Sequence, residues 1–160
     1  SELHIIPVSV SYEYEPCDVL KVKELYESIE SPYIKKPGED FKSILTGVTQ
    51  PKGHIHLGIG KPVNHIMDSL QGKNQQEQFQ ELTAAIDREV YKNYRIWPSN
   101  YIATDLLAGD NKYSKYYTNN LKEKFQSYAK EKLTPLGGNT DVLYRMFLKI
   151  YSGCVENFYT

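Results

Sequence analysis

Only two segments of this chain have the composition and alternation of β-strands, and that small number limits what it can fold into. The first is Leu3–Tyr14, in which β-branched and aromatic residues occupy alternate positions. The second is Gly53–Val63, in which Ile55, Leu57 and Ile59 alternate with His or Gly. Two strands do not make a stable sheet alone, so we expect further strands or helices to cover them.

Apolar residues at helical spacing predict six helices in the rest of the chain. Two of them lie between the strands, and four follow the second strand. The predicted segments are Asp18–Ile29, Phe41–Val48, Phe79–Tyr94, Tyr101–Leu107, Leu121–Lys132 and Leu143–Cys154. The predicted N-caps are Asp18, Ser99, Thr118 and Thr140. The polar segment Gln71–Gln78 is predicted as a loop. The order therefore predicts an α/β fold followed by a helical extension, with a division into 1–95 and 96–160.

The start of the chain resembles a cut end. Ser1 is not an initiator methionine, and the sequence enters an apolar strand almost at once. The first strand is apolar on both faces near Ile5 and Ile6, as in the middle of a parallel sheet. We therefore expect this chain to be the C-terminal part of a longer protein that supplies the other strands.

Composition and charge argue against several functional classes. The formal net charge is −1 with 19 basic and 20 acidic residues, so no basic stripe favours nucleic acid. No run approaches the roughly 20 apolar residues that cross a bilayer. The two cysteines form neither a metal motif nor a disulfide framework, which predicts a cytoplasmic compartment.

Tyrosine is unusually frequent, with 14 tyrosines against five phenylalanines. A tyrosine ring can be buried while its hydroxyl stays hydrated, which suits the boundary of a core. The excess predicts either many half-buried rims or a tyrosine-rich surface for lipid headgroups or another domain.

No segment of the sequence forms a complete catalytic motif. His54 and His56 would lie on one face of the second strand, and a third ligand would make them a metal site, as in a small metal hydrolase. No residue at suitable spacing supplies that ligand, so we predict no metal site. The segment Gly58–Lys61 is too short for a phosphate-binding loop, and no G-x-S-x-G motif occurs.

Two segments resemble blocks of the glycerolipid acyltransferase family, which includes 1-acylglycerol-3-phosphate acyltransferases. Ile5–Val10, reading IPVSV after its first residue, is similar to the strand that helps to form the substrate pocket in that family. His56–Val63, reading HLGIGKPV, is similar to its closing strand, which a helix follows. The sequences that follow these blocks, SYEYEPCD and NYRIWPSNYIA, resemble a bacterial branch with a helical C-terminal extension. The match to the family covers about residues 3 to 95.

The resemblance implies a role in phospholipid biosynthesis. The parent protein would transfer an acyl chain from acyl-CoA or acyl-carrier protein to a lysophospholipid or glycerol-phosphate hydroxyl, with no bound cofactor. Pro7 and Val8 would wall the substrate pocket. Such a parent would work at the inner face of the cell membrane.

The catalytic pattern of the family is missing from this chain. That pattern is His-x-x-x-x-Asp, but the four histidines are followed five positions on by Ser9, Ile59, Lys61 and Leu70. A general base contributes about 10²–10⁴ in rate, so this chain alone is predicted to be inactive. The alternative is a non-catalytic interaction domain that docks through its tyrosines. If the chain is such a fragment, the bared strands are expected to join two copies of it as a homodimer. The alternative is a monomer in which the C-terminal helices fold back over the strands.

Overall fold

The structure, a computed structural model, describes residues 4–159 and consists of eight main elements. They are β1 (Val8–Tyr12), α1 (Asp18–Glu27), α2 (Glu39–Thr49), β2 (Ile55–Ile59), α3 (Gln75–Asn93), α4 (Pro98–Ala108), α5 (Asn119–Leu133) and α6 (Thr140–Tyr159). A 3₁₀ helix, Val63–Leu70, lies between β2 and α3, and two shorter 3₁₀ turns follow α4 and α5. All eight predicted strands and helices are present, although several boundaries differ.

The fold is mixed α/β but dominated by helices, which make up 64% of it. β1 and β2 form a two-stranded antiparallel sheet. The expectation of a parallel sheet concerned further strands that a longer protein would supply, and it stays a prediction. Leu3, predicted within the first strand, lies outside the described residues.

The chain divides into two compact units, each described here by itself. The sheet unit comprises residues up to Ser11 together with Ile55–Arg95, and the helical unit comprises Tyr12–His54 and Ile96–Thr160. This grouping differs from the predicted division into 1–95 and 96–160, because α1 packs mainly against α6. The sequence resemblance does not show that packing.

The observed helix starts test the N-caps that were predicted from the sequence. Thr118 is confirmed as the N-cap of α5, since its hydroxyl accepts a hydrogen bond from the Leu121 N–H at 3.3 Å. Thr140 is wrong as a cap, because Asn139 Oδ1 accepts from the N–H groups of Asp141 and Val142 instead. Ser99 is also wrong, because α4 starts at Pro98 and the Ser99 hydroxyl donates to the Glu13 carbonyl.

The start of α3 carries a capping box that moves the helix into the predicted loop. Asn74 accepts from the Glu77 N–H at 3.0 Å, and the Glu77 carboxylate accepts from the Asn74 N–H at 3.1 Å. This reciprocal pair fixes the first turn. The helix therefore begins at Gln75, four residues before the predicted Phe79.

The core of the helical unit is built from aromatic and aliphatic side chains of α1, α4, α5 and α6. Val22, Ile102, Phe125 and Phe147 are each at most 1% exposed. The rings of Phe125 and Phe147 lie 5.8 Å apart, and Tyr151 completes the aromatic cluster. Burial of these large side chains from water supplies most of the driving force for folding this unit.

Asp18, predicted as an N-cap, is instead a buried carboxylate in the first turn of α1. Cys17 occupies the cap position, and Asp18 is 2% exposed. Asp18 Oδ2 accepts hydrogen bonds from the hydroxyls of Tyr128 at 2.8 Å and Tyr151 at 3.0 Å. These bonds join α1 to α5 and α6, so the carboxylate organises the helical unit.

The tyrosines that bind Asp18 keep their protons. Burial first, and then the negative charge of Asp18, raises the pKa of Tyr128 and of Tyr151 well above the ordinary value near 10. A second buried carboxylate, Asp105, accepts from the Tyr117 hydroxyl at 2.6 Å. Burial and that bond raise the pKa of Tyr117 to about 12.

We expect Tyr128→Phe to lower the free energy of unfolding of the helical unit by about 1.5–3 kcal/mol, the usual contribution of a hydrogen bond to a charged group. Urea unfolding followed by the fluorescence of Trp97, the single tryptophan, measures this. Tyr14→Phe is the matched control, because the Tyr14 ring packs on Tyr128 at 4.7 Å while its hydroxyl has no hydrogen-bond partner among the described residues. Equal effects of the two variants would contradict the role of Asp18.

Tyr128→Phe should also change how the stability of the helical unit depends on pH in alkaline solution. Because the folded-state pKa of Tyr128 is raised, its stabilising effect is complete below pH 10 and is lost as the pH rises above it. Each such tyrosine contributes a slope of about 1.4 kcal/mol per pH unit there. Tyr128→Phe should therefore make the loss of stability above pH 10 less steep.

Candidate functional site

The two segments that resemble acyltransferase blocks lie side by side in the sheet unit. The Gly60 N–H donates to the Pro7 carbonyl at 2.8 Å, and the Val63 N–H donates to the Ile5 carbonyl at 3.0 Å. The Asn64 side chain also accepts from the Ile5 N–H at 3.1 Å. Segments about 50 residues apart in sequence therefore form one continuous surface.

One face of the sheet is closed by α3 and carries small or polar residues. Ser9 and Ser11 are buried on it, and Gly58 is opposite Ser9 in the antiparallel pair. A β-carbon on Gly58 would collide with the Asn93 carbonyl oxygen and would lie 2.7 Å from Ser9 Oγ. The end of α3 thus approaches the strand backbone as closely as a glycine allows.

His56 and Glu89 secure the contact between β2 and α3. His56 Nε2 lies 3.0 Å from the carbonyl oxygen of Asn93, the last residue of α3. The imidazole therefore contacts the C-terminal end of that helix. Glu89 Oε2 accepts from the Lys61 N–H at 2.8 Å, and this bond is the main cause of a lowered pKa of Glu89. Both side chains therefore have structural partners.

The other face of the sheet is open and mainly aliphatic, with the half-buried Tyr12 at the end of β1. Its six aliphatic side chains are between 43% and 67% exposed: Ile6, Val8, Val10, Ile55, Leu57 and Ile59. In an ordinary antiparallel sheet the apolar face is the covered one. Here the polarity is reversed, and this open face is the candidate binding surface.

The two predicted substrate-binding residues lie on opposite sides of the strand. Val8 is on the open face and 53% exposed, so it can contact a ligand directly. Pro7 is buried, and its carbonyl receives the bond from Gly60. Pro7 can therefore shape this surface through the backbone, while Val8 supplies the contact.

The imidazoles of His54 and His56 each have separate partners. His54 Nδ1 lies 2.6 Å from the Glu13 carboxylate, and the ring stacks on Trp97 with centroids 5.7 Å apart. Among residues 4–159, no group of three or more His, Cys, Asp or Glu side chains could hold a metal ion. The absence of a metal site at His54 and His56 stays a prediction.

A cleft of about 550 Å³ lies in the helical unit between the end of α5 and the start of α6. Leu133 and Leu143 line its apolar side, while Lys130 and Asp141 lie at its polar side. Its volume suits a small molecule. Its described lining contains neither histidine nor cysteine.

Several tyrosine hydroxyls form hydrogen bonds within the helical unit. Tyr128 and Tyr151 bind Asp18, Tyr117 binds Asp105, and Tyr26 accepts from the Asn139 N–H at 3.0 Å. These contacts agree with half-buried rims around a core. Sequence reasoning missed the two carboxylates because nothing in the spacing marks Asp18 or Asp105 as a partner of distant tyrosines.

Comparison with known proteins adds no relative to this description. No protein-family model matches the chain, and neither a curated protein nor a solved structure shows significant similarity to it. None of the helices described between residues 4 and 159 is long and apolar enough to cross a bilayer. The candidate site therefore depends on the geometry of the sheet unit.

We expect Gly58→Ala to destabilise the sheet unit by roughly 1–3 kcal/mol, because the added methyl group overpacks the contact with α3. Amide hydrogen exchange in β2 and α3 measures the effect within this unit. Gly47→Ala in α2 is the control, since its β-carbon would lie 3.7 Å from Cys17 Sγ, an ordinary contact. Unchanged protection of β2 in Gly58→Ala would show that α3 does not depend on this approach.

Proposed function

We propose that this chain is the non-catalytic C-terminal part of a glycerolipid acyltransferase, in which the open face of the sheet walls the substrate's acyl chain. The observation that carries the proposal is the pairing of Ile5–Val10 with His56–Val63 in one sheet with an uncovered aliphatic face. Within the described residues, these are the segments that resemble the family.

The chemistry of the open face favours an acyl chain over a charged or polar ligand. Aliphatic side chains bind hydrocarbon without leaving polar groups unpaired, and each methylene removed from water contributes about 0.8 kcal/mol. The six side chains supply no charge to grip a phosphate. In this proposal the phosphate and the reacting hydroxyl of a lysophospholipid lie against the rest of the parent protein.

The surroundings of His54 and His56 differ from the His–Asp pair of the family, which supports the non-catalytic assignment of this chain. The His54 ring is held by Glu13 and Trp97, and the His56 ring contacts the Asn93 carbonyl. A general base for acyl transfer must reach the attacking hydroxyl and accept its proton. Neither ring is paired with an aspartate in the way that the family's motif requires.

The isolated chain is expected to transfer no acyl group to lysophosphatidic acid from acyl-CoA or acyl-carrier protein. The reason is the missing His-x-x-x-x-Asp motif. Product formation is measured with radiolabelled donor against a boiled sample. Turnover above the boiled sample that survives repurification would contradict the proposal.

Binding of the acyl chain is tested with oleoyl lysophosphatidic acid below its micellar concentration. We expect its addition to shift the methyl NMR signals of Val8, Val10, Leu57 and Ile59. Val8→Gln should weaken binding about fivefold to tenfold, because it places an amide against hydrocarbon.

The matched control for this titration is Ile29→Gln. Ile29 is 58% exposed, close to the value for Val8, but lies in the helical unit. Equal weakening by the two variants, or binding that Val8→Gln leaves unchanged, would show that the open face is not the wall of an acyl-chain site. That result would favour the alternative of an interaction domain.

A further inference from the structure

Helix α2 presents its apolar side to solvent. Phe41, Ile44, Leu45 and Val48 recur at i, i+3, i+4 and i+7, so they form one stripe along the helix. Their side chains are between 51% and 72% exposed, and α2 contains no buried residue. Stability of the helical unit therefore does not explain why these four positions are apolar.

Two small residues of α2 contact the rest of the helical unit. Cys17 Sγ lies 3.5 Å from the Ser43 carbonyl, and Gly47 approaches the same sulfur. On a helical projection at about 100° per residue, Ser43 lies nearly opposite the middle of the apolar stripe, whereas Gly47 lies at the flank of the stripe beside Ile44. The helix thus contacts the helical unit at small residues, and the side chains of its stripe stay mostly exposed.

Charges around α2 leave a basic margin beside the stripe. The Glu39 carboxylate accepts from the Tyr33 hydroxyl at 2.6 Å and the Lys36 N–H at 2.7 Å. Asp40 pairs with Lys35 at 2.7 Å. Neither Lys36 nor Lys42 forms an ion pair within the described part of the chain. The Lys36 charge also attracts Glu39, but the three lysines Lys35, Lys36 and Lys42 outnumber the two carboxylates Glu39 and Asp40, which leaves one net positive charge beside the stripe.

We propose that α2 lies flat on the surface of an anionic phospholipid bilayer. The stripe of Phe41, Ile44, Leu45 and Val48 would enter the boundary between headgroups and acyl chains. Lys36 and Lys42 would lie near the lipid phosphates. An apolar stripe with flanking cations is the arrangement by which interfacial helices bind membranes. At 11 residues the helix is too short to span the bilayer.

The size of the stripe favours a bilayer over a protein partner or a second copy. A stable protein interface uses roughly 20–30 residues on each side, whereas this stripe offers four large side chains. A bilayer needs no matching shape, and its affinity depends on inserted apolar area plus attraction to anionic lipid. This inference does not depend on the acyltransferase proposal, because it uses a different surface in the helical unit.

The test is co-sedimentation of the full 160-residue chain with vesicles of equal parts phosphatidylglycerol and phosphatidylcholine. We expect the double variant Phe41→Gln, Val48→Gln to bind these vesicles at least about tenfold more weakly. The variant should stay folded, because α2 buries no side chain. Trp97 fluorescence and far-UV circular dichroism check this.

Two sets of control variants test whether α2 itself binds the vesicles. Phe79→Gln, which removes a side chain of similar exposure from α3, outside both proposed surfaces, should leave vesicle binding within about twofold. Lys36→Gln and Lys42→Gln should each lower binding about fivefold, since a lysine near an anionic surface contributes about 1 kcal/mol. Vesicles of phosphatidylcholine alone should bind the wild-type chain more weakly and show no effect of the lysine variants.

Several results would overturn the inference. Vesicle binding that is absent in the wild-type chain, or unchanged in Phe41→Gln, Val48→Gln, would do so. Light scattering that shows a dimer lost in the same double variant would identify a second copy as the occupant of the stripe. Binding of monomeric lysophosphatidic acid at Val8 would be unaffected by these outcomes, so the two proposals can fail separately.

Discussion

The helical unit depends on the burial of one carboxylate, Asp18. A charge removed from water is costly unless hydrogen bonds replace its hydration. Tyr128, Tyr151 and the Val19 N–H, whose nitrogen lies 2.7 Å from Asp18 Oδ1, supply those bonds. The Tyr151 hydroxyl also accepts from the Glu15 N–H at 3.0 Å, so it fixes the entry to α1 as well. Because the partners come from α5 and α6, satisfying this charge requires three helices to take one arrangement.

A reversal of polarity links the two candidate surfaces, although they belong to different units. In the sheet unit, Ser9, Ser11 and Gly58 are on the covered side, and the aliphatic residues are outside. In the helical unit, α2 is attached through Ser43 and Gly47, and its large apolar residues are outside. Large aliphatic side chains exposed together usually mark a binding surface. Both surfaces would suit the hydrocarbon of a lipid, one as an acyl chain and the other as a bilayer.

Residues that usually carry chemistry have structural roles in this chain. The His56 ring contacts the end of α3, His54 is held between Glu13 and Trp97, and Glu89 fixes the Lys61 backbone. The buried carboxylates Asp18 and Asp105 are bonded to tyrosines and N–H groups. In the two proposals, the described residues provide surfaces for binding, and the reaction proposed for the parent would take place elsewhere in it.

The amino-acid sequence by itself determined the elements and their order. Periodicity is local, and so the strands around Val8 and Leu57 and all six helices could be predicted, as could the cap at Thr118. The stripe of α2 could also be read directly from its spacing. The N-cap of the last helix could not be predicted correctly, because Asn139, the residue before Thr140, competes for the same N–H groups.

Tertiary structure decided which face of each element is covered. A two-residue period predicts two faces of β1 but does not say which one packs against α3, and here the close approach at Gly58 selects the small, polar face. Likewise, Asp18 in the first turn of a helix is a plausible cap by sequence, and it became a buried centre because Tyr128 and Tyr151, more than 100 residues away, reach it. Such long-range contacts depend on how the helices pack, and that packing also places Tyr12–His54 with the C-terminal helices.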